Sequence, residues 1–122
     1  MKYLTLILAL LFLGCSLDGT EPEEVVCTEE FVYGLQVFVR DNTTNDPITS
    51  GITVVAIDSG YEEELMLAQG EDFYIGAGER PGNYIIQVTS DDYVTFNSGV
   101  IQVTANQCHV ITRLVEILLQ PI

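Results

Sequence analysis

A two-residue period of apolar side chains constrains the fold of this chain more than any other feature. Every second position from residue 31 to residue 39 is apolar, namely Phe31, Tyr33, Leu35, Val37 and Val39. Gln36 and Arg40 lie on the opposite face, and residues 84–89 repeat the period. Side chains alternate between the two faces of a β-strand, so this spacing predicts strands that each bury one face.

Turn-forming residues divide the rest of the chain beyond residue 30 into short strand-like segments. Residues 52–57 are rich in β-branched side chains, which predicts a strand covered on both faces. Residues 61–68 (YEEELMLA) favour helix by composition, but flanking glycines limit their length, and we predict a strand. In the turn at residues 79–83, Pro81 presets φ and Gly82 can take positive φ. Residues 108–119 are the last predicted strand.

The number and length of these segments indicate the fold class. About seven short strands and no helix predict an all-β domain, a single antiparallel two-sheet β-sandwich. The chain has 122 residues, of which 48% are hydrophobic. This length allows one core but not a two-domain enzyme.

The first fifteen residues are typical of an export signal. Residues 4–13 are apolar apart from Thr5, follow Lys2, and make up about half the ~20 residues that a membrane-spanning helix needs. The segment that ends in Gly14 and Cys15 resembles the lipobox of bacterial lipoproteins, although Phe12 replaces the usual leucine. That resemblance implies a signal peptide at residues 1–14, lipidation of Cys15, and a location in the bacterial envelope, expected at the outer membrane.

Charge and composition separate a tether from the domain. Residues 15–26 carry the lipidated cysteine and a Gly, Pro and acid-rich stretch that cannot bury a core, leaving residues 27–122 as the domain. Acidic residues close behind the cysteine also resemble surface-export signals, and this alternative stays open. A formal net charge of −14, with only four basic residues, argues against nucleic acid and against docking on an anionic lipid surface.

Two segments of the domain resemble a known family. VFVRDNTTNDPITSGITVVAID (residues 37–58) and PGNYIIQVTSDDY (residues 81–93) are similar to the carboxypeptidase regulatory-like domain, a transthyretin-like β-sandwich. Asp92 stands where that family usually has glycine. The resemblance implies a sandwich of transthyretin-like or immunoglobulin-like type and an accessory or structural role. The fold also includes hydroxyisourate hydrolases, but those share several histidines and a C-terminal Tyr-Arg-Gly-Ser, whereas this chain ends LLQPI.

The cysteines predict one disulfide. With Cys15 assigned to lipid, Cys27 and Cys108 remain as an even pair in an exported domain, where oxidising conditions favour a bond. Zinc is the competing interpretation, but only His109 lies beside Cys108 and neighbouring strand residues face opposite sides.

Catalysis has little support in the sequence. His109 is the single histidine, and no nucleophile elbow or HExxH motif accompanies it, so we expect a structural residue and no enzyme. The acidic pairs, in residues 62–64, 71–72 and 91–92, are expected to be solvated. Four tyrosines offer stacking faces to a glycan, although packing is commoner: Tyr61, Tyr74, Tyr84 and Tyr93.

One loop has the oxygen ligands that calcium prefers. Asp41, Asn42, Asn45 and Asp46 lie within six residues, but they do not follow the EF-hand spacing. Turn formation is the alternative role for Asn and Asp. No other metal or cofactor is indicated.

Together these features predict a lipid-anchored envelope protein without enzymatic activity. Its β-sandwich is expected to serve a structural or protein-binding accessory role, with the membrane reached through the lipid and an envelope protein as partner. The alternatives are a calcium-dependent adhesion or glycan-binding module and, third, a small transthyretin-like hydrolase.

Overall fold

The computed structural model describes residues 25–122. The predicted signal peptide, Cys15 and most of the predicted tether lie outside the described residues. The described part contains nine strands and no helix: β1 (Tyr33–Asp41), β2 (Thr53–Asp58), β3 (Tyr61–Glu64), β4 (Met66–Leu67), β5 (Tyr74–Gly78), β6 (Gly82–Thr89), β7 (Phe96–Asn97), β8 (Ile101–Val103) and β9 (Arg113–Leu119). It therefore holds no helix long and apolar enough to cross a membrane.

The strands form two packed sheets, which confirms the predicted all-β sandwich. The first sheet has the order β4-β5-β1-β9, and the second has the order β3-β2-β6-β7. Strand β8 pairs with the other end of β6, beside β7. The number of strands is nine rather than seven, partly because Leu65 turns into the core and separates β3 from β4.

The sandwich is mostly antiparallel, as predicted, but one of its strand pairings is parallel. Strand β9 runs parallel to β1, from Leu35 opposite Arg113 to Asp41 opposite Leu119. The chain crosses from β8 in one sheet to β9 in the other, and such a crossover does not force a hairpin reversal. The last strand also begins at Arg113, because residues 108–112 belong to the crossover loop.

The core lies between the sheets and follows the predicted period. Leu35, Val37 and Val39 of β1 are fully buried, and Phe31 lies outside β1 and is exposed. The buried residues that complete the core with them come mainly from four other strands: Val54, Ala56, Tyr84, Ile86, Val88, Val103, Ile117 and Leu119. Burial of these side chains supplies the main favourable term in folding.

Strand β2 is covered on one face only, contrary to the prediction. Val54 and Ala56 are buried, whereas Val55 and Ile57 are partly exposed on the outer face of their sheet. A run of β-branched residues therefore reflects strand propensity here rather than two-sided burial.

The positive φ values near residue 80 belong to residues other than Gly82. Gly82 begins β6 without positive φ, and Ala77 and Glu79 instead adopt φ values of 55° and 48°. Positive φ is uncommon for residues with a Cβ. The turn before β6 is thus bent at Ala77 and Glu79, and this conformation presents the Glu79 side chain to two other segments.

Candidate functional site

A disulfide joins the N-terminal segment to the crossover loop, as predicted. Cys27 and Cys108 are bonded across 81 residues, with their Cα atoms 5.2 Å apart. Cys27 precedes β1 and Cys108 follows β8, so the bond fastens the start of the domain to the end of the sandwich where β1 and β9 begin.

Directly beside the disulfide, three side chains form a chain of hydrogen bonds. Thr28 Oγ1 lies 3.0 Å from His109 Nε2, and His109 Nδ1 lies 2.6 Å from Glu79 Oε2. Thr28 and His109 each follow a cysteine of the disulfide. We call these five residues, Cys27, Thr28, Glu79, Cys108 and His109, the anchor cluster.

The Glu79 side chain makes more hydrogen bonds than any other side chain of the anchor cluster. Its Oε2 also accepts a hydrogen bond from the backbone N–H of Val32, and its Oε1 accepts one from Val110. Partial burial acts to raise the pKa of Glu79, but the hydrogen bond to His109 and the two backbone donors outweigh it and hold that pKa below its usual value. The group is therefore a carboxylate at neutral pH.

The charge on Glu79 fixes the arrangement of protons on His109. A carboxylate can only accept hydrogen bonds, so His109 Nδ1 must donate to Glu79. In the neutral imidazole, Nε2 is then the acceptor, and the Thr28 hydroxyl donates a hydrogen bond to it.

A short turn holds His109 in place. Asn106 Oδ1 accepts hydrogen bonds from the backbone N–H groups of Cys108 and His109, and the Asn106 N–H donates to the carbonyl of His109. His109 therefore lies in a loop. The expectation that it occupies the last strand was wrong, because Asn106 closes a local turn that competes with strand geometry.

The anchor cluster borders a shallow cavity. Its volume is about 270 Å³, and residues of the turn before β6 and of the loop after β8 line it: Glu79, Pro81, Ala105, Asn106, Gln107, Cys108, His109 and Val110. The side chains of His109 and Glu79 are 18% and 27% exposed, so both are largely shielded yet reachable from this cavity.

The loop predicted as a calcium site lies at the opposite end of β1. Asp41 Oδ1 accepts hydrogen bonds from Thr43 and Thr44, and its Oδ2 accepts one from the Tyr93 hydroxyl. The Asn42 side chain binds Gln120, and Asn45 adopts a φ of 65°. These contacts favour turn formation, and calcium binding stays a prediction.

Among residues 25–122, no three His, Cys, Asp or Glu side chains come together as a metal-binding group. The acidic residues at 62–64, 71–72 and 91–92 lie on separate strands and loops. Glu63 does have a specific role, because its Oε1 accepts hydrogen bonds from the Tyr61 hydroxyl and the Ala77 backbone.

The tyrosines considered as glycan platforms have contacts within the domain. Tyr84 is fully buried, and Tyr74 is buried with its hydroxyl donating to the carbonyl of Ile48. Tyr61 lies beneath the guanidinium of Arg80, whose Cζ is 3.7 Å from the ring centroid. These contacts favour packing.

Sequence reasoning missed the contacts of three residues, which belong to two separate groups. Arg80 binds Asp58 and Tyr84 as well as Tyr61, and Thr28 and Glu79 complete the chain to His109. The single histidine was a usable signal for the anchor cluster. Glu79 gave none, because its turn context indicated only a bend.

No model of a protein family matches this chain, and no curated protein matches it at a significant level.

Proposed function

We propose that this chain is a lipid-anchored protein of the bacterial cell envelope whose β-sandwich has a structural or protein-binding accessory role. The observation that carries this proposal is the anchor cluster. A covalent bond and two hydrogen bonds fasten residues 27, 28 and 32 to the sandwich, at the point where the chain enters from the predicted tether. Such an attachment transmits force from a membrane anchor into the domain without unfolding its first strand.

A disulfide at this position also agrees with export. Structural disulfides persist in oxidising compartments and are rare in the cytosol. Cys15, at the end of the lipobox-like segment, is the proposed lipid attachment site, and the residues between it and Val25 are the proposed spacer.

For the domain itself, we propose the carboxypeptidase regulatory-like type. The support is the strand and turn pattern of residues 37–58 and 81–93 on a two-sheet sandwich. In this arrangement β1 and β2 belong to different sheets, and the acidic loop that connects them lies at one end of the sandwich.

The outer face of the first sheet supports a protein-binding role. Leu114 and Leu118 of β9 are exposed there, and Met66 of β4 is exposed at the other edge of the same sheet. Exposed apolar side chains that share a face are typical of surfaces that contact other proteins.

Fractionation of intact cells tests the anchor. Wild-type protein and a Ser16→Ala control are expected in the membrane fraction, with the mass of a diacylglyceryl group on Cys15, whereas Cys15→Ala is expected to be released. Equal membrane retention of Cys15→Ala, with an unmodified Cys15 in the wild type, would contradict lipid anchoring.

Crosslinking in intact cells tests the accessory role. The lipidated protein is purified after crosslinking, and mass spectrometry identifies what comes with it. One partner that is recovered with wild type and Ser16→Ala, and lost with Cys15→Ala, would support the proposal. Recovery of the protein alone would contradict it and favour a free-standing surface binder.

The calcium-dependent alternative predicts a separate result. It requires the melting temperature to rise with millimolar Ca²⁺ and to fall with a chelator. We expect no shift, because both carboxylate oxygens of Asp41 already accept hydrogen bonds from Thr43, Thr44 and Tyr93.

A further inference from the structure

We propose that the anchor cluster is also an acyl-transfer site, in which Thr28 is the nucleophile, His109 the general base and Glu79 a positioning residue. The substrate class is small carboxylic esters. This activity goes beyond the structural role proposed above, does not depend on lipidation, and departs from the expectation that His109 is only structural.

The argument begins with the order of the three groups. A hydroxyl, an imidazole and a carboxylate follow one another at 3.0 Å and 2.6 Å, and both imidazole nitrogens take part. A nucleophile within hydrogen-bond reach of a base, which is itself oriented by a third group, is the arrangement that activates a hydroxyl. A merely structural histidine needs a partner for its polar atoms but not this order.

Glu79 meets the requirements of the orienting group. The backbone N–H groups of Val32 and Val110 hold its two oxygens in place, so the carboxylate cannot turn away from His109. Because Glu79 binds Nδ1 of His109, the Nε2 atom of His109 is free to accept the Thr28 proton. The negative charge of Glu79 stabilises the imidazolium that forms during proton transfer.

The disulfide holds the backbones of Thr28 and His109 close together. Each residue directly follows one half of the bonded pair, and the two Cα atoms of that pair are 5.2 Å apart. Holding two groups near each other in this way lowers the entropic cost of bringing them into contact.

The cavity beside His109 limits the size of the substrate. At about 270 Å³ it is below the range of drug-sized ligand pockets, and its apolar lining comes from Pro81, Ala105 and Val110. Thr28 is exposed and does not itself line the cavity, but its hydroxyl lies within hydrogen-bond distance of His109, which does.

The reaction is complete with water as the only co-reactant. Thr28 Oγ1 bonds to the acyl carbon while His109 Nε2 takes the hydroxyl proton. The bond from that carbon to the alcohol oxygen breaks, and His109 returns the proton to the leaving alcohol. Water, deprotonated by His109, then hydrolyses the acyl ester on Thr28 and restores the free hydroxyl.

The test uses the full chain with its disulfide intact and p-nitrophenyl acetate as the probe. Release of p-nitrophenolate is followed, and a quenched sample is digested and analysed by mass spectrometry. We expect an acetyl group on Thr28, and faster turnover of the acetyl than of the decanoyl ester. Thr28→Ala and His109→Gln are expected to lower kcat/KM at least about 100-fold. Thr28→Ser is expected to retain activity.

A matched control and a positioning variant complete the design. Thr95→Ala changes an exposed threonine beside β7 and is expected to leave the rate unchanged. Glu79→Gln is expected to reduce kcat/KM by about tenfold or more and to alter its pH profile, because a neutral amide does not stabilise the imidazolium.

Three results would overturn the proposal. The first is a folded Thr28→Ala variant, shown by an unchanged circular dichroism spectrum, that hydrolyses the probe as fast as wild type, since His109 would then react by itself. The second is an acetyl adduct on another residue and none on Thr28. The third is wild-type turnover no faster than that of the protein denatured in urea.

Discussion

The hydroxyl of Tyr93 donates a hydrogen bond to Asp41 Oδ2 at 2.8 Å, joining two parts of the chain that are 52 residues apart. Thr43 binds the other oxygen of the same carboxylate through its hydroxyl and its backbone N–H. The Thr43 hydroxyl, followed by Tyr93, lowers the pKa of Asp41 from 3.8 to about 2. This loop is consequently stabilised by an ionised carboxylate.

The first prediction concerns acid stability. A carboxyl group whose pKa is lower in the folded state contributes stability above its unfolded pKa, and this contribution is lost as pH falls toward the folded pKa. For Asp41 the window is between about pH 4 and pH 2. Melting temperatures measured across that window should fall less steeply for Asp41→Asn than for wild type.

Asp46→Asn is the matched control for this measurement, because it changes a neighbouring carboxylate in the same loop. It should reproduce the wild-type slope below pH 4. If Asp41→Asn and wild type lose stability in parallel, the hydrogen bonds to Asp41 do not favour its ionised form.

The second prediction concerns the disulfide. Closing a loop across 81 residues reduces the entropy of the unfolded chain, which corresponds to about 4 kcal/mol in the chain-entropy model. The double variant Cys27→Ser/Cys108→Ser should therefore unfold at a clearly lower urea concentration than the oxidised protein. Wild type treated with a reductant should match the double variant, and an unchanged midpoint would mean that the unfolded chain is not restrained by the bond.

The sequence predicted those features that depend on local patterns. The period of two along β1 placed Leu35, Val37 and Val39 in the core, and the turn formers separated the strands. Cysteine pairing was predictable because only two cysteines remain once Cys15 is assigned to the proposed lipid. These inferences need only the alternation of side chains or the count of one residue type.

Features that depend on distant partners were beyond a single sequence. The apolar pattern of β9 is the same whether the strand runs parallel or antiparallel, so its parallel pairing with β1 could not be predicted from the sequence. Glu79 and His109 meet because positive φ at Ala77 and Glu79 bends one turn while Asn106 closes another. No local spacing in the sequence predicts the contact between Glu79 and His109.

The third prediction concerns Gly34, where β1 passes close to other residues. A Cβ at this position would lie 2.8 Å from Val103 Cγ1 and 2.9 Å from the Ala77 carbonyl oxygen. The backbone at Ala77 cannot move away easily because it is part of strand β5. Gly34→Ala should therefore lower the free energy of unfolding by about 1–3 kcal/mol. Gly99→Ala is the control, since open space surrounds Gly99. Equal unfolding midpoints for both variants would contradict the close packing at Gly34.

The last prediction concerns Glu116, the only charged residue between Leu114 and Leu118 on the outer face of β9. Strand β9 is at the edge of its sheet, and a second copy that paired with it antiparallel about Glu116 would place Leu114 opposite Leu118. The same pairing would set two Glu116 carboxylates against each other, and like charges directly opposite destabilise a pair of strands. Glu116 therefore protects this edge against self-association.

Removing the charge of Glu116 should allow the β9 strands of two copies to pair. Glu116→Val is expected to self-associate in sedimentation velocity at concentrations where wild type sediments as a smaller species. Glu71→Val removes an equal charge from a loop and should behave as wild type, which separates the effect of position from that of net charge. Glu116→Lys should also stay dispersed, because two lysines repel as two glutamates do. Association of Glu71→Val to the same extent as Glu116→Val would show that net charge, not the edge of β9, controls assembly.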